Sequence, residues 1–212
     1  MLLKGEQLAA HLDRELRPLY TLYGDDPLLV LEAADAIRAK ARQAGYTERE
    51  GLTVLPHFDW GQLLAAGGNL SLFGDRKLID LRIPNGKPGK EGSAALQQWC
   101  QNLSPDNLLL ITLPELDWRE EKAAWFTTLT NAGVSIKLNA PPLAELPGWI
   151  AGRLRRQQQG ADMESLKFIA ERVEGNLLAA HQEIQKLGLL YPAGQLSLQQ
   201  VRDAVLNVAR YD

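Results

Sequence analysis

The sequence predicts an α/β fold in which helices cover both faces of a parallel sheet, followed by a smaller helical domain. Strand-like apolar runs alternate with amphipathic segments between residues 19 and 138. Strands that are separated by helices of ten or more residues pair in parallel rather than as hairpins. Beyond a segment with three prolines in seven residues, 141–147, every segment has helical spacing.

The first strand is expected at 19–23, where the chain reads Leu-Tyr-Thr-Leu-Tyr before Gly24-Asp25-Asp26-Pro27. An aspartate caps a helix well and proline suits its first position, so a helix is expected from Pro27 toward Gly45. The remaining elements of the first domain follow from the same alternation of apolar runs and helical spacing. They are strands at 52–55, 77–83, 108–113 and 134–138, and helices at 60–66, 93–102 and 118–131.

The prolines between Pro141 and Pro147 predict a stiff linker, because proline continues neither a helix nor a central strand. The expected domains are therefore residues 1–140 and 141–212. Glycines separate the later segments, and Asp162 and Ser197 are suitable caps. The predicted helices of the second domain are 148–159, 162–174, 176–189 and 197–208.

The composition is that of an ordinary globular protein, with 45% apolar and 23% charged residues. A net charge of −3 gives no overall electrostatic footprint for nucleic acid. The N-terminus lacks the long apolar core of a secretion signal, and the longest solid apolar run, 108–111, is too short to cross a bilayer. We therefore expect a cytoplasmic protein with no membrane partner. The single cysteine, Cys100, excludes an internal disulfide and a cysteine-rich zinc module.

Leu70, Leu72 and Phe73 form the most informative cluster, because glycines at 67, 68 and 74 bracket them. Those glycines favour a loop or turn over a regular strand. Two interpretations of the cluster remain open. Either it packs into the core of its own domain, or it is exposed and fills a groove on a partner protein.

The turn after the first strand lacks what a phosphate-binding loop needs. Such a loop offers glycine N–H groups, a lysine, and a serine or threonine hydroxyl for magnesium. Here two aspartates occupy the turn, Pro27 has no N–H, and the next lysine is Lys40. Nucleotide binding is electrostatically disfavoured, so we predict no cofactor.

No residue pattern identifies a catalytic or metal site. Asp80 and Glu115, near two strand ends, are interpreted as structural or solvated groups. The three histidines have no metal-ligand spacing, and no Gly-x-Ser-x-Gly nucleophile motif occurs. We expect no intrinsic catalysis, although a nucleotide-binding enzyme with an unrecognised site around Asp25, Asp26 and Glu115 remains an alternative.

Two basic segments are candidates for phosphate contact. Arg153, Arg155 and Arg156 lie on the first helix of the second domain, and their stems are expected to pack beside Trp149 on a solvated face. The loop 87–90 carries two lysines. For both segments a solvated surface is the favoured interpretation over contact with DNA.

Several motifs resemble the delta subunits of bacterial DNA polymerase III clamp loaders. The resemblance runs in order through the whole chain, and the Leu-Phe run and Glu-Gly-Asn-Leu-Leu-Ala are its most specific parts. The matching segments are the Gly-Asp-Asp-Pro-Leu-Leu turn at 24–29, Asn69–Phe73 followed by Asp75-Arg76-Lys77, the strand 108–111, Ala124-Trp125-Phe126, and 174–179.

The resemblance implies an AAA+-like domain without a functional P-loop, followed by a helical lid domain. It further implies a DNA replication subunit that binds and opens the ring-shaped beta sliding clamp without ATPase activity of its own. The family's clamp-binding element matches Leu70, Leu72 and Phe73, with Ser71 inside it. Asn69 stands where the general clamp-binding pentapeptide usually has glutamine, which shortens one polar side chain.

Family members also carry a third, helical collar domain that joins the gamma or tau and delta-prime subunits. The sequence ends directly after the last predicted helix, so the collar is expected to be absent and clamp binding to be retained. Primed DNA is expected to be a partner only within the full polymerase complex. A regulatory AAA+-like adaptor, with Leu72 and Phe73 in its core, remains a third interpretation.

Overall fold

The computed structural model describes residues 1–68, 76–173 and 175–206. The chain divides into two compact units, Met1–Asn139 and Ala140–Asp212. The strands of the first unit are β1 (Leu2–Lys4), β2 (Leu19–Tyr23), β3 (Tyr46–Thr53), β4 (Arg76–Arg82), β5 (Asn107–Thr112) and β6 (Val134–Lys137). Its helices are α1 (Leu8–Arg14), α2 (Pro27–Gln43), α3 (Gly61–Gly68), α4 (Gly89–Gln101), α5 (Trp118–Glu121) and α6 (Ala124–Ala132), with a 3-10 helix at Gly5–Gln7.

The six strands form one parallel sheet in the order β1-β6-β2-β5-β4-β3. The strand β2 lies between β5 and β6, although both come later in the chain. Because all strands point the same way, the turns after them share the carboxyl edge of the sheet. The segments that lead into them share the amino edge.

Each face of the sheet has its own core. Strand side chains alternate between the two faces, so β5 contributes Leu109 and Ile111 to one core and Leu108 and Leu110 to the other. Helices α3, α4 and α6 pack on the first face, whereas α1 and α2 pack on the second. The predicted parallel sheet with helices on both faces is confirmed.

Two of the sequence predictions for this unit were wrong in extent, and one region of the unit was missed. The strand expected at 52–55 is the end of the eight-residue β3, whose earlier residues are mostly exposed and polar. The helix expected at 118–131 is two helices, because the extended backbone of Ala123 ends the first and turns Trp125 and Phe126 into the core. No element was expected before residue 19, where β1, the 3-10 helix and α1 lie.

In its described residues, the second unit contains four helices and a short parallel pair of strands. The prediction that every segment is helical is wrong for these two strands, whose three residues each are too few to show a period. Gln159, in the first strand, is buried and its amide donates to the carbonyls of Leu187 and Tyr191. The elements are α7 (Leu146–Arg156), β7 (Gln159–Ala161), α8 (Met163–Arg172), α9 (Leu177–Leu190), β8 (Gly194–Leu196) and α10 (Leu198–Leu206).

Capping residues set the helix starts in this unit. Asp162 accepts a hydrogen bond from the backbone N–H of Ser165 at 2.8 Å, and Asn176 accepts one from that of Ala179 at 2.9 Å. The helix α7 begins at Leu146, two residues before the expected start. None of the helices in the described parts of the chain is long and apolar enough to span a membrane.

Candidate functional site

The turn after β2 brings the backbone of Gly24 against the end of β6. The N–H of Leu138 donates to the carbonyl of Tyr23 at 2.8 Å. A Cβ atom at residue 24 would lie 1.9 Å from the carbonyl oxygen of Leu138, so only glycine fits without a backbone shift. The space beside the turn is therefore filled by backbone.

Asp26 occupies the position at the start of α2 where a nucleotide-binding fold places phosphate. Its Oδ1 accepts a hydrogen bond from the N–H of Leu29 at 2.9 Å, and the residue is 91% buried. Pro27 supplies the first helical residue and has no N–H. The donor group and the partial positive charge of this helix terminus already serve the protein's own carboxylate. This geometry supports the prediction that the turn binds no nucleotide.

Asp80 is a structural group in β4, as the sequence analysis expected. Its Oδ2 lies 2.7 Å from Nη2 of Arg38, on α2, and 2.7 Å from Nη2 of Arg49, on β3. Arg38 also pairs with Asp35 at 2.7 Å. Because the carboxylate is buried, this ion-pair cluster joins α2 to two strands at one side of the sheet.

The titratable groups that resemble catalytic residues are engaged in packing. His11 is buried, and its Nε2 lies 3.0 Å from the hydroxyl of Tyr20, which accepts the N–H of Arg17. Burial lowers the pKa of His11 and raises the pKa of Tyr20 to about 12. Burial also raises the pKa of Cys100 to about 11, so its thiol is a poor nucleophile. Within residues 1–68, 76–173 and 175–206, no three candidate ligands gather around a possible metal position.

The segment Asn69–Phe73, which holds every partner-binding residue expected from sequence, lies outside the described residues. The structure does describe both of its flanks, which lie at the amino edge of the sheet. On one side the carbonyl of Gly67 accepts the side-chain amide of Asn107 at 2.8 Å. A Cβ atom at residue 67 would lie 2.4 Å from the indole of Trp99, so this turn of α3 packs directly on α4.

The other flank is Arg76, the first residue of β4. Its Nη1 donates to the carbonyl of Ala44 at 3.1 Å, and its guanidinium carbon lies 5.7 Å from the ring centroid of Tyr46. The next residue, Lys77, donates its N–H to the carbonyl of Asp106 at 2.8 Å. Both described flanks of the segment are therefore hydrogen-bonded to neighbouring elements of the first unit.

Arg153 packs as expected from sequence, because its guanidinium carbon lies 4.3 Å from the ring centroid of Trp149. Its Nη1 also lies 3.4 Å from Nδ1 of His181. Arg155 and Arg156 are exposed on the same helix. Nothing in these contacts favours phosphate binding over a solvated face.

Sequence reasoning missed the exposure of Trp118, whose surface is 65% accessible at the start of α5. Arg119 and Lys122 flank its ring, at 5.5 and 5.4 Å from the centroid. Asp117 caps this short helix by accepting the backbone N–H groups of Arg119 and Glu120, and the exposure of Trp118 depends on where the fold places the helix.

The comparisons with known proteins identify a family. Residues 20–139 match the family described as DNA polymerase III, delta subunit. DNA polymerase III subunit delta of Escherichia coli K12 is 35% identical over 206 residues, which is 97% of this chain and 60% of that protein. The subunit of the same name from Haemophilus influenzae is 32% identical over 207 residues, covering 94% of this chain and 59% of that protein. The chain thus spans about 60% of the length of these curated relatives.

Solved structures confirm the AAA+-like fold. The Bacillus subtilis DNA clamp loader delta protein has a TM-score of 0.71 at 20% identity, covering 93% of this chain and 61% of that one. The Thermotoga maritima RuvB Holliday junction branch migration motor has a TM-score of 0.55 at 16% identity, covering 98% of this chain and 68% of that one. At these identities the likeness shows the fold alone. Together with the family match over more than half of its length, the sequence identities establish that this chain belongs to the DNA polymerase III delta-subunit family.

Proposed function

We propose that the chain binds the beta sliding clamp through Leu70, Leu72 and Phe73, with Asn69 and Ser71 completing the element. Residues 1–140 then form the clamp-binding domain and 141–212 the lid domain. The observation that carries the proposal is the anchoring of both flanks at the amino edge, where Gly67 is bound by Asn107 of β5 and Arg76 binds the carbonyl of Ala44 at the end of α2. Fixed ends lower the entropy cost of presenting an apolar cluster to a partner.

Clamp opening follows from differential affinity. A subunit that binds the open shape of one clamp protomer better than the closed shape shifts the ring toward the open form, by no more than that difference. Full burial of each apolar side chain of the element supplies about 1.5–3 kcal/mol. That is enough for tight binding without a bound nucleotide.

The filled turn after β2 supports an assembly in which other subunits bind ATP and control clamp loading. In the proposed assembly the gamma or tau and delta-prime subunits bind mainly through a collar domain of the longer relatives, and primed DNA joins only in the full complex. This chain would then contribute to processive replication as a binding subunit, and chemistry on nucleotides would belong to its partners. In isolation its clamp-binding element would always be accessible.

The test is the double variant Leu72→Ala/Phe73→Ala, studied by thermal melting and by affinity for purified sliding clamp. We expect an unchanged melting temperature and a roughly thousandfold weaker complex, since hot-spot truncations cost about 2–4 kcal/mol each and are not additive. The matched control is Leu189→Ala/Leu190→Ala, which removes exposed apolar side chains from α9. It should leave both quantities unchanged.

Two outcomes would contradict the proposal. A strongly lowered melting temperature means that Leu72 and Phe73 are core residues, as in the adaptor interpretation, because core truncations of this size cost about 2–5 kcal/mol each. A well-folded variant with wild-type affinity means that the clamp is bound elsewhere. The enzyme alternative is tested separately by calorimetry with magnesium-ATP, where saturable micromolar binding supports it and no saturable heat is our expectation.

A further inference from the structure

Exposed cations lie on Trp118 and on the neighbouring loop after β4, at the carboxyl edge of the sheet. Trp118, Arg119 and Lys122 belong to α5 and the turn after it, whereas Lys87 and Lys90 belong to the loop after β4 and the start of α4. All five side chains are exposed. We call these five residues the carboxyl-edge patch.

The two halves of the patch are neighbours in space. A Cβ atom at Gly86 would lie 3.0 Å from Leu116 and 3.2 Å from Pro114, so the loop after β4 packs on the loop after β5. The pKa of Asp117 gives a second sign that Lys87 lies close to the loop after β5. The backbone N–H of Glu120 is the largest cause of its lowered pKa, and Lys87 is among the smaller ones.

Most acids near α5 are already occupied. Asp117 accepts the backbone N–H groups of Arg119 and Glu120, at 2.8 and 2.9 Å. Glu120 accepts the indole N–H of Trp125 at 3.1 Å, and Glu121 pairs with Lys137 at 2.7 Å. The four patch cations, in contrast to these acids, are solvent-exposed, and two of them lie over the ring of Trp118. Exposed Glu91 and Glu115 moderate the local positive charge without cancelling it.

Lys87 and Lys90, together with Glu91, border a groove of about 770 Å³ between the loops after β3 and β4. Phe58 and Trp60 also line the groove, so it combines cationic with aromatic walls. The positive groups and aromatic faces thus continue from Trp118 along one edge of the sheet. That combination matches a chain that carries regular negative charges and flat bases.

We propose that the carboxyl-edge patch binds single-stranded nucleic acid, with a base stacked on Trp118 and phosphates contacted by the four cations. A duplex keeps its bases stacked inside, so it gains only the phosphate contacts. Because the whole chain has a net charge of −3, we expect binding at this patch only. Its contacts with phosphates make the affinity strongly dependent on salt. The inference is independent of clamp binding, because the patch lies at the carboxyl edge of the sheet, whereas the described flanks of the segment 69–73, Gly67 and Arg76, lie at the amino edge.

The experiment measures fluorescence anisotropy of a labelled short oligothymidylate titrated with the whole 212-residue chain at several salt concentrations. If all four cations contact phosphates, the plot of log affinity against log salt has a slope of about −3. Trp118→Ala should weaken binding by roughly five- to hundredfold through lost stacking. Lys87→Ala/Lys90→Ala should make the slope shallower by about 1.4.

The matched control is Arg42→Ala/Lys167→Ala, which removes the same charge from exposed positions outside the patch. It should bind the oligonucleotide like the wild type, and so should Leu72→Ala/Phe73→Ala, which separates this inference from clamp binding. Unchanged melting curves would show that Trp118→Ala is folded. Equal affinity for oligothymidylate and duplex, or wild-type affinity in the Trp118→Ala variant, would overturn the proposal. If Trp118→Ala or Lys87→Ala/Lys90→Ala lost sliding-clamp binding but kept oligonucleotide binding, the patch would be a protein-binding surface instead.

Discussion

The two edges of the six-stranded sheet treat their connecting segments differently. At the carboxyl edge, the turn after β2 is closed by the protein's own groups, since Asp26 takes the N–H of Leu29 and Gly24 lies against Leu138. At the amino edge, the described flanks of the connection from α3 to β4 are hydrogen-bonded, at Gly67 to Asn107 and at Arg76 to Ala44. Parallel sheets ordinarily bind ligands at the carboxyl edge.

Under the proposed function, this difference teaches that sheet topology alone does not determine which edge of an α/β domain binds a partner. The central carboxyl-edge turn has lost its phosphate donors to one aspartate and one proline. The proposed clamp-binding segment uses the opposite edge, where anchored ends suit a protein partner better than a small ligand. Four substitutions break or sharpen this comparison.

The largest effect is expected for Asp80→Asn, which removes a buried charge that holds Arg38 and Arg49 between the two edges. Loss of one partner from a buried ion pair costs about 3–5 kcal/mol, and the exposure of Arg49 places this case near 3. Urea unfolding measures it. Arg49→Ala is the control and should cost less than about 1 kcal/mol, because its guanidinium is largely exposed. Equal costs for the two variants would show that the carboxylate is not the centre of the cluster.

Gly24→Ala compares the packing of the two edges directly. The new methyl group would meet the carbonyl of Leu138, and we expect a loss of about 2–3 kcal/mol in unfolding free energy. The control is Gly45→Ala at the amino edge, where φ is +91° and no atom lies within 4 Å. Only backbone strain acts there, so about 1 kcal/mol is expected. A reversed order would mean that the carboxyl edge is the looser of the two.

Asp26→Ala removes the cap of α2 and should lower the unfolding free energy by about 1 kcal/mol, measured by urea denaturation. The variant should still give no saturable heat with magnesium-ATP, because the turn retains Pro27 and has no lysine nearby. The matched control is Asp162→Ala, which removes the cap of α8 in the second unit and should have a similar cost. Nucleotide binding by the Asp26 variant would show that a single carboxylate is what closes this edge.

The smallest effect concerns pH and His11. Burial lowers the pKa of His11 in the folded protein. The contribution of His11 to the free energy of unfolding is therefore intact above its unfolded pKa of about 6.5, and it is lost as pH falls from there toward the lowered folded pKa. We expect His11→Gln to reduce the difference in unfolding free energy between about pH 8 and about pH 5.5. Urea titrations at both values measure this. An undiminished difference in the variant would assign the acid sensitivity to other groups.

The sequence predicts elements well where burial imposes a pattern. Strand β2 matches its predicted limits because all five of its residues are buried. Strand β5 is also almost entirely buried, and its limits differ from the predicted ones by only one residue at each end. The exposed first half of β3 has no apolar alternation, so only its buried end was recognised. The break at Ala123 was missed because helical spacing continues across it. Its cause is the tertiary burial of Trp125 and Phe126.

The site features divide in the same way. The acidic turn at 24–27 was interpreted from chemistry alone, because a proline and two carboxylates disfavour phosphate whatever surrounds them. The Arg38-Asp80-Arg49 cluster was not visible, since its members are far apart in sequence and meet only through strand order. The exposure of Trp118 likewise depends on the tertiary placement of α5. The assignment of Asn69–Phe73 stays a prediction.

The bond between Asn107 and Gly67 has a mechanical meaning. It ties the end of α3 to β5, and β4 itself is paired on one side with β5 and on the other with β3. A pull transmitted along β4 is therefore carried by a strand that has neighbours on both sides. Its interstrand bonds share such a load in shear and do not open one at a time. The amino edge is consequently a stiff attachment point, as the proposed opening of a bound clamp requires.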